Sequence, residues 1–250
     1  MPGYIVAIDL GTSRSAWAFS FQGRAEKEIC IRVPEGCIPP ASGTKTETAV
    51  LLSPGDYNVV AFGRAAREQY IRESQDREDA EGDTGADVGP RPLHAQINRH
   101  EGDVEDPGAT ADGGQNLPLI KVMAAVLRHF KEDAIAYLSS QEETIDGFAQ
   151  SINWVVTIPA IYDDFSRRFM RMAAHEAGLI DAVDSPRLCL CLEPEAACLA
   201  VSVHDAPDLS QPGTKTMILD CGGGTVDITT HEVISLSPLR LKELRPPTGG

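Results

Sequence analysis

Basic residues are scarce in this sequence. The 250 residues include 22 lysines and arginines against 37 aspartates and glutamates, which gives a formal net charge of −15. A protein that binds nucleic acid needs a basic surface, so this balance argues against DNA or RNA as a partner. The imbalance is concentrated in residues 73–112, where twelve acidic residues and three arginines give a net charge of −9.

Paired cysteines and long apolar runs are also lacking. The six cysteines form no Cys-x-x-Cys pair and have no histidine at the spacing of a zinc site. We interpret them as small buried residues of a protein in a reducing compartment, and we expect a cytoplasmic location. No apolar run is long enough to cross a bilayer, and the short run that contains Asp9 does not resemble a signal peptide. A membrane partner is therefore not expected.

A glycine turn between two strands occurs twice in the chain. Residues 4–21 comprise an apolar strand that ends at Asp9, a turn that starts at Gly11, and a second strand. Residues 217–231 repeat this order, with an apolar strand that ends at Asp220, three glycines and an alternating tail. Glycine leaves backbone N–H groups open to an anion, and adjacent carboxylates suit Mg²⁺, which prefers oxygen ligands. For either hairpin alone, a glycine-rich turn flanked by solvated aspartates is the alternative.

The repetition of this hairpin favours a phosphate site. Neither turn has the Gly-Lys-Ser/Thr of a Walker motif, and neither leads into a helix as the dinucleotide fingerprint does. Two such hairpins, more than two hundred residues apart, fit a clamp that closes on nucleotide phosphates from two sides. In this respect the sequence resembles the superfamily of actin, the sugar kinases and the heat-shock ATPases.

The first half of the chain also contains strand and turn patterns outside this hairpin. Glu28–Val33 is a predicted strand, and Thr48–Leu52 and Asn58–Phe62 are predicted to form a hairpin around a turn that contains Pro54 and Gly55. A short helix is predicted to start after this hairpin.

Residues 74–116 show no periodicity. They are rich in acidic residues and glycine and contain few large apolar side chains. Such a segment buries too little apolar surface to offset its chain entropy, so we expect a mostly disordered, solvated insertion that is dispensable for folding. A regulatory contact is the alternative.

Periodicity returns at Leu117. Apolar residues then step by three or four as far as Leu138 and predict an amphipathic helix. Ile152–Ile158 is a β-branched run, which predicts a central strand covered on both faces. Arg187–Leu192 is a further predicted strand, and Glu193 opens a helix whose first turn contains a proline.

A second predicted helix lies between the two later strands. Asp163 or Asp164 is expected to cap its start, and Gly178 to end it. The residues expected to face inward on it are Phe165, Phe169, Met172 and Ala173.

Longer stretches narrow the resemblance. The run INWVVTIPAIYDDFSRRFMRMAAHEAGL, followed by LEPEAACLAV, is similar to the ATPase of the 70-kDa heat-shock chaperones. TAVLLSPGDYNVVAFGRAARE, DCGGGTVD and LKELRPPTGG resemble the divergent twelfth branch of that family. The resemblance covers residues 4–72 and 117–250. It implies an α/β fold, namely a ribonuclease-H-like lobe of an actin-type ATPase with a mixed sheet and flanking helices.

The resemblance also implies roles for individual residues and a cofactor, ATP or ADP with Mg²⁺. Asp9 and Asp220 would hold the hydrated Mg²⁺, and Asp227 would polarise the attacking water or bind an accessory cation. Glu193 would lie near the water and the metal, and Pro159 and Arg167 would relay the nucleotide state to the surface. The residues implied to contact phosphates are Gly11, Thr12, Ser13 and Arg14 from one side, and Gly222, Gly223, Gly224 and Thr225 from the other.

Two departures from the family pattern change the expected activity. Arg67 stands where the family has a lysine beside the γ-phosphate, and an arginine places its donors differently. Only the first hairpin of the second lobe is recognised, so we expect lobe I at 1–205 and an incomplete lobe II at 206–250. The sequence therefore predicts a weak ATP binder with negligible ATPase activity.

Three functions fit the resemblance. The first is an ATP-binding, chaperone-like ATPase domain, with client proteins or co-chaperones as further partners. The second is a non-enzymatic protein that senses nucleotide or mediates interactions. A sugar kinase of the same superfamily ranks last, because the sequence shows neither a sugar-binding acid between the motifs nor a full second lobe.

Overall fold

The computed structural model of the chain describes residues 3–21, 30–32, 45–53, 55–84, 93–96, 108–110, 116–141, 151–204, 211–222, 226–236 and 239–249. The first nine strands are β1 Tyr4–Leu10, β2 Arg14–Phe21, β3 Cys30–Arg32, β4 Thr46–Glu47, β5 Ala49–Leu52, β6 Val59–Phe62, β7 Leu93–Gln96, β8 Gly108–Thr110 and β9 Asn116–Pro118. The remaining strands are β10 Ile152–Ile158, β11 Leu188–Leu192, β12 Lys215–Cys221, β13 Val226–Leu236 and β14 Leu239–Gly249. The helices are α1 Arg64–Thr84, α2 Leu119–Gln141, α3 Asp164–Glu176 and α4 Glu193–His204.

A mixed sheet in the order β11-β10-β1-β2-β3 organises the fold, and β4 pairs with β2 beside it. Strands β1, β10 and β11 run parallel, whereas β1, β2 and β3 alternate in direction. Parallel neighbours need crossover connections, and helices α2 and α3 lie in them. The predicted α/β fold with a mixed sheet and flanking helices is confirmed.

The core lies between this sheet and α2. On β1 the alternate residues Tyr4, Val6 and Ile8 are fully buried, as expected for one face of a strand. The apolar face predicted for α2 is confirmed, with Leu127 and Phe130 completely buried. Further fully buried side chains in this core are Trp17, Trp154, Leu138, Ile152 and Ile158.

The predicted hairpin of β5 and β6 is confirmed, but the helix after it is longer than expected. Helix α1 has 21 residues and ends at Thr84, inside the stretch that was expected to lack structure. Strand β7 also lies in that stretch and pairs antiparallel with β5. The expectation of disorder is therefore wrong for these residues, whereas their dispensability for folding stays a prediction. Other parts of the segment lie outside the described residues. Backbone pairing, which needs no apolar periodicity, stabilises β7.

Helix α3 starts and ends as predicted, but its buried face differs. Asp163 is the N-cap and accepts a 2.8 Å hydrogen bond from the backbone N–H of Ser166, while Gly178 follows the helix with a φ of +73°. The buried residues are Met170, Ala173 and Ala174, whereas Phe165 and Met172 are exposed. Only Ala173 of the four residues predicted to face inward is fully buried. Small alanines allow α3 to approach α2 closely, and large residues were wrongly expected to mark the core.

Arg171 explains how α3 is held in place. Its guanidinium group donates three hydrogen bonds, of 2.7 to 3.1 Å, to the backbone carbonyls of Val183, Ser185 and Leu188. These carbonyls belong to the segment that leads into β11. The arginine therefore satisfies three acceptors at once and joins the helix to the sheet.

A second, antiparallel sheet has the order β12-β13-β14. The predicted hairpin of β12 and β13 is confirmed, but β14, which contains Pro246 and Pro247, was not predicted as a strand. Proline is tolerated on an edge strand, which is the position of β14. One face of the β12–β13 pair is apolar and exposed, and its most exposed residues are Met217 and Leu219.

The four cysteines whose side chains are described are not uniformly buried. Cys189, Cys191, Cys198 and Cys221 are free thiols. Cys198 is buried, and burial raises the pKa of the Cys191 thiol, whereas Cys189 and Cys221 are exposed. The prediction of buried cysteines is therefore wrong for these two. Among the described residues, no helix is both long enough and apolar enough to cross a membrane.

Substitution of Phe130 on α2 and of Phe165 on α3 tests which faces of these helices are buried. Replacing Phe130 by alanine should lower the free energy of unfolding by about 3–5 kcal/mol, because its ring is fully buried and packs 5.2 Å from the ring of Phe62. Phe165→Ala is the matched control, since Phe165 is 50% exposed, and it should cost less than about 1 kcal/mol. Urea denaturation measures both values. Equal losses would contradict the α3 face described above.

We expect His129 to make the folded protein less stable in mild acid. Its ring lies 5.0 Å from that of Phe62, and burial lowers the pKa of the imidazole despite the opposing charges of Asp133 and Glu132. Because the unfolded chain has the higher histidine pKa, about 6.5, it binds the proton first as the pH falls. Stability should thus be greatest above pH ~6.5 and decline below it, by at most about 1.4 kcal/mol per pH unit from this group.

Denaturation curves between pH 7.5 and 5 measure this effect. His129→Gln removes the group and should flatten the curve of stability against pH. His175→Gln, which removes an exposed histidine of α3, serves as the control and should leave the curve of the wild type. An unchanged slope in His129→Gln would rule out this source of acid sensitivity.

Candidate functional site

The carboxyl ends of the three parallel strands meet at one edge of the main sheet. Ile8 pairs with Val156 and Ile158 pairs with Leu192, so the residues that follow these strands lie side by side. Asp9 lies near the end of β1, Pro159 follows β10, and Glu193 follows β11 as the first residue of α4. In α/β sheets this edge is the usual place for ligands. The sheet thus brings Asp9 and Glu193, two of the predicted site residues, to the same edge.

The carboxylate of Asp9 has a partner on each oxygen. The hydroxyl of Thr157 donates a 2.9 Å hydrogen bond to Oδ1, and the ammonium group of Lys45 forms an ion pair with Oδ2. Thr157 is on β10, and Lys45 lies directly before β4. Because β1 pairs with β10, Thr157 lies beside Asp9. Sequence reasoning missed both the Thr157 contact and the Lys45 contact.

The turn after Asp9 is tight and braced. A Cβ on Gly11 would lie 2.6 Å from the backbone oxygen of Arg14, which only a glycine avoids without a shift of the backbone. The backbone N–H of Thr48 donates a 2.9 Å bond to the carbonyl of Ser13, and the hydroxyls of Ser15 and Thr48 are 2.6 Å apart. Segment 45–48 therefore holds the turn in one conformation.

Exposure differs along this turn. Gly11 and Thr12 are half-buried, whereas Ser13 and Arg14 are exposed. The exposed residues are accessible to a ligand, and the backbone that carries Arg14 pairs with β4. Such a combination suits a backbone loop that contacts an anion.

The second hairpin brings two carboxylates together. Asp220 on β12 is directly opposite Asp227 on β13, so both side chains are on the same face of the sheet. Asp227 is buried, and its Oδ1 has no hydrogen-bond partner among the described residues. A Cβ on Gly249 of β14 would collide with this carboxylate, so the glycine makes room for it. Two like charges opposite each other are unfavourable unless a cation lies near them.

Further polar residues on this face were missed by sequence reasoning. Thr229 and His231 follow Asp227 at alternate positions of β13, and Thr216 is opposite His231. Each has a buried side-chain atom without a partner among the described residues, namely Oγ1 of both threonines and Nδ1 of His231. The signal was available, since polar residues at every second position of a strand share one face.

The other predicted residues have varied positions. Gly222 is exposed, and the rest of that glycine turn, Gly223, Gly224 and Thr225, lies outside the described residues. Arg67 is at an exposed position of α1, a helix that packs on β5, β6 and β7. Arg167 is half-buried and donates a 3.2 Å hydrogen bond to the carbonyl of Tyr162, three residues after Pro159.

The described site residues belong to two sheets. Asp9 and the Gly11 turn belong to the main sheet, and Asp220 and Asp227 belong to the second sheet. Within the described part of the chain, no three His, Cys, Asp or Glu side chains are close enough to hold a metal by themselves. A cation at either sheet would need ligands from water or from a bound molecule.

The close approach of Gly11 to the backbone oxygen of Arg14 can be tested by substitution. Gly11→Ala should force the turn apart, weaken the bond between the N–H of Thr48 and Ser13, and speed hydrogen exchange at Thr48 by roughly ten-fold or more. Gly55→Ala is the control, because φ at Gly55 is +95° but no atom lies within 4 Å of the added Cβ. It should strain its own hairpin and leave exchange at Thr48 unchanged. Unchanged exchange in Gly11→Ala would show that the turn adapts freely.

Comparison with known proteins identifies the family of the chain. A family model described as Hsp70 protein matches residues 60–235, which is more than half of the chain. Heat shock 70 kDa protein 12A of Mus musculus and of Homo sapiens are each 32% identical over 98% of this chain, and heat shock 70 kDa protein 12B of Homo sapiens is 30% identical over the same share. The chain spans 42% of the length of each relative. The resemblance to the twelfth branch is confirmed, and the chain belongs to the Hsp70 family.

Proposed function

We propose that this chain binds ATP or ADP with Mg²⁺ and forms the phosphate-binding part of a chaperone-like ATPase of the Hsp70 family. The observation that carries the proposal is the position of Asp9. Its carboxylate lies at the carboxyl edge of the parallel strands, beside a tight glycine turn and next to the ammonium group of Lys45. A carboxylate for a metal, backbone donors for a phosphate and a cation are the groups that a nucleotide site needs.

The residues present fit a hydrated Mg²⁺. This ion prefers oxygen ligands, keeps several waters, and is usually held by one or two carboxylates and the phosphates of a substrate. Asp9 and Asp220 offer two carboxylates, and a hydrated Mg²⁺ that also binds phosphate needs no third protein ligand. The buried Oδ1 of Asp227, which has no partner among the described residues, is a further acceptor for a water or a cation.

The chain's own residues would divide the work as follows. The turn from Gly11 to Arg14 would bind phosphate oxygens, and the Gly222 turn would contact them from the other side. Asp227 would orient the attacking water, with Glu193 near it at the edge of the main sheet. Mg²⁺, when bound, would neutralise charge on the phosphates. Phosphoryl transfer to water depends on positioning and charge neutralisation, so no covalent intermediate with the protein is required.

One observation favours a non-enzymatic alternative. Arg67, which takes the place of the family's lysine, is exposed on α1. An arginine that does not reach the γ-phosphate would leave hydrolysis slow even where nucleotide binds. In that case the chain would sense nucleotide and pass its state on through Pro159 and Arg167.

Protein partners and location are further parts of the proposal. The exposed apolar face that includes Met217 and Leu219 is suited to contact with another protein surface, such as a second lobe, a client or a co-chaperone. The free thiols of Cys189 and Cys221 are exposed, which favours a reducing compartment, and we propose the cytoplasm.

Asp220 provides the direct test of metal-dependent binding. Asp220→Asn should weaken binding of Mg²⁺-ATP by about ten-fold or more and binding of ATP in EDTA by less than about two-fold, because the metal interacts with the lost charge. Isothermal titration calorimetry measures both affinities. Asp184→Asn, at an exposed aspartate between α3 and β11, is the matched control. Equal weakening with and without Mg²⁺ would mean that Asp220 is only structural.

A turnover assay on the same proteins separates binding from catalysis. The 250-residue chain should bind Mg²⁺-ATP weakly and hydrolyse it negligibly. Fast hydrolysis that Asp9→Ala abolishes would refute the expected inactivity and would favour the enzymatic over the sensing function. Absence of ATP binding in the wild type would refute the proposed function itself.

A further inference from the structure

Lys45 contacts Asp9, and the family pattern did not indicate it. It precedes β4, whose two residues pair with the first residues of β2, Glu47 with Arg14 and Thr46 with Ser15. Thr48, the residue after β4, donates its N–H to the carbonyl of Ser13 in the turn, and its hydroxyl contacts that of Ser15 at the start of β2. The backbone that carries Lys45 is therefore fixed to the glycine turn, and the lysine side chain extends from it to Asp9.

The ion pair between Lys45 and Asp9 is accessible and weak enough to exchange. The side chain of Lys45 is 49% exposed and that of Asp9 is 33% exposed. Exposed pairs of this kind contribute little to stability, because water solvates both charges and the long lysine side chain loses freedom. The ammonium group can thus leave Asp9 for a nearby anion of higher charge without disturbing the fold.

We propose that Lys45 is a phosphate-binding cation that exchanges partners. In the free chain it pairs with Asp9, and in the nucleotide-bound chain it pairs with a phosphate oxygen while Asp9 turns to the hydrated metal. This inference rests on the proposed function and assigns a further phosphate-binding residue to the same site. Lys45 then provides a positive charge directly beside Asp9 and the Gly11 turn.

The exchange should change the affinity for a divalent cation alone and the affinity for the metal–nucleotide complex in opposite directions. Without nucleotide, Lys45 and a divalent cation compete for one carboxylate, and their positive charges repel each other. With nucleotide, the triphosphate attracts both cations, so Lys45 strengthens binding. Loss of the lysine charge should therefore favour the metal alone and disfavour the metal–nucleotide complex. A lysine with a purely structural role would not produce this reversal.

The experiment compares Lys45→Gln and Lys45→Arg with the wild-type chain. Mn²⁺ alone, detected by electron paramagnetic resonance of the free ion, should bind Lys45→Gln about two- to five-fold more tightly, the range expected for loss of an exposed ion pair. Mg²⁺-ATP, measured by calorimetry, should bind it roughly ten-fold or more weakly, as expected for loss of a charged hydrogen bond. Lys45→Arg keeps the charge and should stay within about three-fold of the wild type for both ligands.

Lys121→Gln is the matched control. Lys121 is 47% exposed and pairs with Glu176, which is 30% exposed, on the α2–α3 side of the core. Its loss changes the net charge equally and breaks a similar ion pair, so both affinities should remain those of the wild type.

The outcomes distinguish this inference from the proposed function. Wild-type binding of Mg²⁺-ATP together with unchanged affinities in Lys45→Gln would overturn the role of Lys45 and leave the proposed function in place. Equal changes in Lys121→Gln would also overturn it, because a general charge effect would then explain the data. A wild-type chain that binds no ATP would overturn both.

Discussion

The parallel pairing of β1 with β10 and β11 is the constraint on which the main-sheet site depends. Three strands that point the same way place their carboxyl ends at one edge, where Asp9, Thr157 and Glu193 come from distant parts of the chain. Parallel pairing also requires the crossovers that contain α2 and α3, and the apolar face of α2 then buries the sheet. The same hydrogen bonds thus determine both the core and the edge that carries the candidate site.

Antiparallel pairing has a comparable effect in the second sheet. The register of β12 and β13 places Asp220 opposite Asp227 on a face where Thr229 and His231 are also buried. Burial of polar atoms without partners is costly, so such a face is retained only where another group satisfies it. Apolar residues occupy the exposed opposite face. Buried polar residues on one face and exposed apolar residues on the other are unusual for a sheet that functions alone. This distribution is expected of a sheet that contacts a ligand on one face and protein on the other.

Much of the fold was predictable, and the failures have physical causes. The glycine hairpins, α2 and the Asp163 cap follow from local chemistry, that is from turn geometry, apolar period and capping. The buried face of α3 was mispredicted because size was taken as the sign of burial, whereas close helix packing selected Ala173 and Ala174. Strands β7 and β14 were missed because backbone pairing with a neighbour stabilises them, and that pairing is not visible in local composition.

The candidate site could be proposed from sequence where it lies on the hairpins. Asp9 and Gly11 were chosen because a carboxylate beside a glycine turn has a chemical meaning within ten residues of sequence, and their role stays a prediction. Lys45 could not, because its partner is 36 positions earlier and the two meet only through the pairing of β4 with β2. Position in a family pattern pointed to Arg67, which is exposed on α1, whereas a direct contact with Asp9 points to Lys45. A cation acts on a phosphate through its position in space, so contact with the candidate site is a better guide than position along the sequence.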